Sequence, residues 1–553
     1  MKSLVCALNT KFVHSSLAPW CLKAGVRKYA PETECAVLEG TINESEQSIL
    51  ARIMEKEFEI IGFCTYIWNV QLVLSLCEKI KAKRNVKIVL GGPEVSYNAK
   101  EILEKHPFVD YVISGEGEEP FGRLCGDKSI ESIDGLCYRS NGEIVIKEPH
   151  IATAPPPSPY TEEYFESLNG RISYLETSRG CPYRCAFCLS GRCGGVRFFD
   201  IEEAKKNIVL LSQSGSKTIK FVDRTFNANS ARAKEIFNFI IDNYGKKIPS
   251  GVCFHFEIEG SILDEETISI LSRAETGSIQ LEIGIQTFNP QALKSINRVN
   301  RHEILCDNIK KLLFPGNIHI HIDLIAGLPY EDLSSFAQSF NKAIALKPHM
   351  LQFGFLKLLH GSDLKEKVSE HLCTYDKTPP YEIKSTKWLS FEDLALMHIT
   401  EDALERLYNS GRFSRTVSYL TEIFENQFEM YTSLGKFVQK NEKSKSLDEF
   451  SSLVFQYFSS FEGIDKCKLR DCMAIDRLAT NRMGTLPEFL KHRTNEIKRL
   501  LTELEADPST RRKKGVKRAL TVLSAENSYV YVDYHNKNSV TKEYTVTKRN
   551  IFI

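Results

Sequence analysis

Short apolar runs alternate with longer amphipathic stretches through the first 150 residues. Leu4 to Leu8, Thr33 to Leu38, Ile60 to Cys64, Val86 to Leu90 and Val109 to Ser114 have the length and the β-branched content of strands. Between them, the stretches near Ala18 to Lys28, Ser45 to Glu57 and Val70 to Lys83 carry apolar residues at helical spacing. This alternation predicts a Rossmann-like, doubly wound α/β sheet, whose ligands bind beyond the carboxyl ends of the strands.

The segment Ala154-Pro-Pro-Pro-Ser-Pro159 is too stiff for a sheet interior and marks a connector over 151–170. From residue 171 the alternation resumes with six strand candidates: Ile172 to Thr177, Thr218 to Asp223, Val252 to Ile258, Ile279 to Gln286, Ile318 to Ile325 and Met350 to Lys357. Each of the first five is followed by a helix-compatible stretch, so residues 171–361 predict a partial (β/α)6 TIM barrel. Residues 362–553 predict a mainly helical domain, with amphipathic stretches near Phe391 to Asn409, Arg415 to Lys440 and Leu486 to Glu505. A small hairpin is expected from Ser528 to Asp533 and Glu543 to Thr547.

Composition narrows the function. A net charge of +1 demands neither nucleic acid nor an anionic membrane. The dense basic run Arg511 to Arg518 reads as a solvated face, and nucleic acid is not expected as a partner. No stretch approaches the roughly 18 uninterrupted apolar residues that span a bilayer. Sixteen cysteines with no signal-peptide pattern point to a reducing, cytoplasmic setting in which thiols stay free for metal.

Three of those cysteines, Cys181, Cys185 and Cys188, follow directly on the first barrel strand, where such barrels place their chemistry. Thiolates are soft ligands, and three of them on a four-iron cluster leave one iron open. A zinc-stabilised binding module is the alternative from another class. It needs a fourth ligand, and the nearest candidate, Cys193, has no histidine beside it. Glu257, Glu282, Gln286 and Asp323 interrupt apolar barrel strands and must find hydrogen bonds, from one another or from a ligand. Asp223, Arg224 and Asn227 end the second strand and are candidates for ligand contact or plain loop residues. His319 and His321 share a strand face with Asp323 and read as core histidines.

The stretch Cys181-Pro-Tyr-Arg-Cys185-Ala-Phe-Cys188 resembles the Cys-x-x-x-Cys-aromatic-Cys loop of the radical S-adenosylmethionine (radical SAM) superfamily, with Phe187 in the aromatic place. The resemblance implies a 4Fe-4S cluster on the three cysteines, chelation of SAM by the open iron and reductive cleavage to a 5'-deoxyadenosyl radical. The strings Gly284-Ile-Gln-Thr287 and Asp323-Leu-Ile-Ala-Gly-Leu-Pro329 are similar to the coproporphyrinogen-oxidase-like branch. That likeness implies Glu257, Gln286 and Asp323 as partners of SAM's amino group or ribose, and Arg298, with Arg301 as alternative, as partner of its carboxylate. It also implies Ile325 and Phe187 against the adenine.

Residues 1–150 resemble the cobalamin-binding domain that precedes many such barrels, through Ile60-Ile-Gly-Phe-Cys-Thr-Tyr-Ile-Trp-Asn69, Ile88-Val-Leu-Gly-Gly-Pro-Glu-Val-Ser96 and Asp110-Tyr-Val-Ile-Ser-Gly-Glu-Gly-Glu-Glu119. Gly91 and Gly92 let backbone approach a large planar ligand. The Asp-x-His-x-x-Gly loop that supplies histidine to cobalt is absent. His14, in the equivalent loop, is close enough in sequence to be a metal candidate, but a solvated loop histidine is expected, with cobalamin bound base-off without a histidine ligand. With its tail of unassigned role, the chain is similar to cobalamin-type radical SAM proteins. This implies methylation of an unactivated carbon, with an electron donor such as flavodoxin or ferredoxin and a small-molecule or peptide substrate. The alternative within the class is a cobalamin-independent rearrangement, oxidation or RNA modification.

Overall fold

Strand β1 (Lys2–Asn9) is buried over all but its first residue, because it lies inside a parallel sheet covered on both faces. Its side chains alternate between two apolar clusters: Leu4, Cys6 and Leu8 join one, Val5 and Ala7 the other. The neighbouring strands are β2 (Glu34–Thr41), β3 (Ile60–Cys64), β4 (Lys87–Gly91) and β5 (Tyr111–Ile113), in the spatial order β2-β1-β3-β4-β5 and all parallel. Two further strands, β6 (Leu136–Ser140) and β7 (Glu143–Val145), extend the sheet antiparallel. They were not expected, although Asn141-Gly142 between them, both at positive φ, is a strong hairpin signal.

A computed structural model describes every residue except 127, 193, 300, 442–445, 483 and 552–553. The chain divides into two units. The first comprises Met1–Glu282, Leu293–Asn300 and Phe355–Lys387. The second comprises Ile283–Ala292, Arg301–Gly354 and Trp388–Ile553.

Within the first unit the helices Ala18–Tyr29 and Glu118–Cys125 cross at glycines. A Cβ on Gly25 would fall 2.0 Å from the carbonyl oxygen of Glu118, so only glycine permits this approach. The barrel begins with β8 (Ser173–Leu175), and a short antiparallel pair, β9 (Ser178–Arg179) with β10 (Arg197–Phe198), closes the base of the cysteine loop. Strands β11 (Thr218–Phe221) and β12 (Cys253–Ile258) continue parallel from β8, followed by the start of β13 (Ile279–Gln286).

In the second unit β13 ends beside β14 (His319–Ala326), which neighbours β15 (Met350–Phe355). The six strands of the expected partial barrel are therefore all present. Beyond them the chain is mainly helical. The stretch expected as one helix over 415–440 is two, Ser414–Ile423 and Gln427–Lys440, because Asn426 caps the second by accepting from the Glu429 N–H. The expected hairpin is a three-stranded antiparallel sheet of Arg518–Val522, Ser528–Lys537 and Tyr544–Asn550. Its first strand starts at the last residue of the basic run: Arg511 to Lys514 are exposed, as expected, but Arg518 is buried and paired with Asp533 at 2.6 Å.

Among the described residues no helix is long and apolar enough to cross a membrane.

Candidate active site

The cysteine loop is held at both ends before any cofactor is considered. At its start, buried Asp223 at the end of β11 accepts from the Thr177 N–H at 3.0 Å, the Thr177 hydroxyl at 2.7 Å and the Ser178 hydroxyl at 2.5 Å. Burial lifts the Asp223 carboxyl to about 6 in spite of these donors. Next in the chain, Arg179 donates to Glu176 and Glu116 within the same unit and to Glu118 at 2.8 Å. Further on, the Ala186 N–H donates to the Ile296 carbonyl at 2.9 Å.

Cys181, Cys185 and Cys188 are free thiols, each half-buried. The Cys181 sulfur lies 3.3 Å from the Thr225 hydroxyl, and the Cys188 sulfur accepts from the Ser190 N–H at 3.4 Å. The Cys185 sulfur lies 3.8 Å from Arg298 Nη1. Burial pushes the Cys185 thiol up, and the Arg298 cation pulls against it. Three soft donors on one loop at the carboxyl side of the barrel, each with a polar partner at its sulfur, fit a cluster with an open corner. Cys193, the fourth ligand a zinc site would want, lies outside the described residues.

Arg298 also pairs with buried Glu259 at 2.7 Å. Glu259 was not singled out from the sequence; it lies just past the end of β12, two residues beyond Glu257. Glu257 is half-exposed and faces Arg224 at 3.5 Å. Phe187 is half-buried within the loop. Glu282 meets His255 at 3.0 Å, so this strand carboxylate is satisfied by a core histidine.

Two candidates for ligand contact have structural duties instead. Asp223 is the clamp just described, and buried Asn227 exchanges two 2.9 Å hydrogen bonds with the Glu259 backbone.

In the second unit, Gln286 ends β13 buried and at φ 70°. The adjoining Thr287 hydroxyl donates to Glu331 at 2.5 Å, and Ser339 joins at 3.2 Å. Burial raises the Glu331 carboxyl to about 7. Asp323 lies 3.1 Å from His321, and Ile325 is half-buried. His319 stacks on His349 with ring centres 5.0 Å apart, and burial lowers it to about 4, as befits a neutral core histidine.

The carboxyl ends of β1, β3, β4 and β5 open onto a cavity of about 630 Å³, a volume suited to a cofactor. Gly91 and Gly92 form part of its wall. Gly92 has φ +116°, and a Cβ there would fall 2.4 Å from the Thr65 carbonyl, while the space at Gly91 is ordinary. Tyr66 and Trp68 stack 4.5 Å apart on another side. Glu116, Glu118, Tyr174, Glu176, Arg179 and Arg224 also line it, so the cavity and the cysteine loop share Arg179. Burial pushes the Glu118 carboxyl up, but Arg179 outweighs it and holds the group below its ordinary value.

His14 differs from expectation. It lines this cavity, and its Nδ1 lies 2.8 Å from the Tyr174 hydroxyl. Burial, helped by Lys220 and Lys11, lowers its pKa.

Residues 4–125 match the B12 binding domain, 175–343 the Radical SAM superfamily and 369–545 a protein family of unknown function, DUF4080. The chain is 26% identical over 320 residues to the cobalamin-dependent radical SAM methyltransferase TokK of Streptomyces tokunonensis, covering 53% of this chain and 46% of that protein. It is 25% identical over 342 residues to the 2-(S-pantetheinyl)-carbapenam-3-carboxylate methyltransferase of Streptantibioticus cattleyicolor, covering 54% and 47%. The chain thus spans about half the length of these two relatives. Among solved structures, the cobalamin-dependent SAM radical enzyme OxsB, with aqua-cobalamin and SAM bound, shares the fold with a TM-score of 0.61 at 15% identity, covering 92% of this chain and 80% of that one.

Proposed function

We propose that this chain, a radical SAM enzyme with a B12-binding domain ahead of its barrel and a DUF4080 domain behind, cleaves SAM reductively and methylates an unactivated carbon. The observation that carries this reading is the 630 Å³ cavity at the strand ends of the amino-terminal sheet, whose wall includes Arg179, two residues ahead of Cys181. When bound, a 4Fe-4S cluster with SAM supplies one-electron radical chemistry, and cobalamin supplies a transferable methyl group.

The chain's own residues hold and shield. Cys181, Cys185 and Cys188 are the cluster ligands. Arg298 places a cation beside Cys185 and is kept in position by Glu259. Asp223 fixes Thr177 and Ser178, so the loop leaves the barrel at one angle. Glu257 and Phe187 in the first unit, and Gln286, Asp323 and Ile325 in the second, are assigned to SAM. Gly91 and Gly92 stand in the wall of the cavity assigned to cobalamin, where Gly92 is required by the close Thr65 carbonyl. The electron comes from a low-potential carrier of the flavodoxin or ferredoxin class, and the substrate is a small molecule or peptide.

The test is anaerobic reconstitution followed by iron, sulfide and corrinoid analysis and by assay of deoxyadenosine. Iron and corrinoid with SAM-dependent deoxyadenosine are expected, and Cys185→Ala is expected to abolish the product. Deoxyadenosine retained in that variant overturns the cluster assignment. A corrinoid-free protein that still consumes SAM removes methyl transfer and leaves a cobalamin-independent oxidation, rearrangement or RNA modification. Zinc in place of iron turns the reading to a binding module.

A further inference from the structure

A second, smaller cavity of about 150 Å³ adjoins the large one, and Leu17, Cys21 and Glu176 line both. One of its walls is the connector Pro155-Pro-Pro-Ser-Pro159 with Tyr160. Another is the helix Ile201–Gln213, which presents Glu203, Ala204 and Asn207 at helical spacing. The connector is held at two points. Arg27 donates to the Ser158 carbonyl at 3.0 Å, and the Tyr160 hydroxyl donates to the Tyr174 carbonyl at 3.3 Å and accepts from the Glu176 N–H at 3.1 Å. A wall of prolines has few donors of its own, because proline carries no N–H.

The polar side chains deep in this lining are committed elsewhere, with one exception. Glu176 pairs with Arg179, the Thr177 hydroxyl donates to Asp223, and the Tyr160 hydroxyl is occupied as above. Asn207 is only 6% exposed, yet among the described residues its carboxamide has no hydrogen-bond partner, and neither of its polar atoms is sealed from open space. The open space that it lines is this cavity. An amide buried to this degree has given up most of its hydration, and that loss is made good only when something inside the cavity bonds to it.

The rest of the lining narrows the partner. Leu17, Pro156, Phe199 and Ala204 suit an apolar body, and a cavity of this size holds a benzene-sized ring. Glu176, Asp200 and Glu203 stand in the same lining and repel an anion. A cation gains little from them, because Arg179 serves Glu176, Lys206 stands 3.6 Å from Glu203, and Asp200 accepts from the Glu203 N–H at 2.8 Å. Asn207 offers a donor and an acceptor side by side, which is the complement of another amide.

We propose that this cavity is a binding site for a neutral amide on a small apolar body, with Asn207 donating to the amide carbonyl and accepting from its N–H. Binding here requires neither a cluster nor a corrinoid, so the site stands apart from the function proposed above.

The experiment titrates the full-length protein with 4-fluorobenzamide, fluorobenzene and 4-fluorobenzoate, which share a ring and differ in the group offered to Asn207, and follows the ¹⁹F line width of each. The amide is expected to bind about tenfold more tightly than fluorobenzene, as two neutral hydrogen bonds allow, and the benzoate not to bind. In Asn207→Leu the order of amide and plain ring should reverse, with the urea midpoint kept or raised, because no hydrogen bond within the protein is lost. Asn207→Ala, which adds no bulk to the cavity, should lose the amide preference in the same way. Equal affinity for amide and plain ring in the wild type, an amide preference that survives in both variants, or no saturable binding of the amide overturns the proposal, and each leaves the function above standing.

Discussion

Arg179 donates to Glu118 at 2.8 Å, joining the loop that carries the three cysteines to the loop that closes the amino-terminal cavity. Glu116 and Glu176 accept from the same guanidinium at 2.9 and 2.7 Å, and all four side chains are largely buried. Removing the cation leaves three carboxylates facing one another away from water, with Arg197 still paired to Glu116. Breaking a buried pair from one side costs about 3–5 kcal/mol. Arg179→Met should therefore lower the urea midpoint markedly and reduce the iron retained per chain. Arg179→Lys should recover only part of the loss, because a point charge cannot serve several carboxylates in a plane. An Arg179→Met protein with wild-type midpoint and iron content would show that the two loops are not held through this residue.

Gly25 makes a second handle on the same loop. Its missing Cβ is what allows the helix Ala18–Tyr29 to touch the backbone of Glu118. Gly25→Ala must push that backbone away, at a cost of about 1–3 kcal/mol for overpacking. The displaced residue lines the cavity, so corrinoid retention after gel filtration should fall along with stability. Stability lost with full corrinoid retention would show that the cavity tolerates movement at Glu118.

Arg298 sits between Glu259 and Cys185, and its removal should have two separable effects. Loss of the pair to buried Glu259 destabilises the fold. Loss of a cation near a cluster sulfur disfavours the reduced, more negative state, so the midpoint potential of the reconstituted cluster should become more negative in Arg298→Ala. Arg298→Lys should keep much of the potential while losing the two-site geometry. A potential unchanged in Arg298→Ala would remove Arg298 from the surroundings of the cluster.

Much of this was legible in the chain because the interior strands of a parallel sheet are buried on both faces and read as unbroken apolar runs. β3 and β13 were bounded to the residue, and the other barrel strands within two residues at either end. What stayed hidden depends on distant partners. Tyr174 is 160 residues from His14, and Glu116 is 63 from Arg179, so neither local pattern nor spacing announces the pair. Arg518 looked like one more solvated cation until Asp533, in the neighbouring strand, came to meet it. Asp223 stood where a ligand contact was reasonable, and only its donors reveal that it holds the loop itself.

Glu331 offers a test of the second unit that needs no cofactor. Its carboxyl is fully buried, accepts from Thr287 and Ser339, and is raised from the ordinary 4.5 to about 7, chiefly by burial and slightly by Asp332. Between those values the native protein keeps the proton while the unfolded chain has released it. The native state binds more protons in that window, so this group's contribution to stability falls as pH climbs from 4.5 to about 7 and then levels off. The full drop is about 3 kcal/mol at roughly 1.4 kcal/mol per unit. Glu331→Gln keeps a neutral side chain of the same shape at every pH. Its stability relative to the wild type, measured by urea unfolding at a series of pH values, should therefore improve steadily across the window. A difference that stays flat from pH 4.5 to 7 would mean that Glu331 titrates elsewhere and that the bonds from Thr287 and Ser339 hold it ionised.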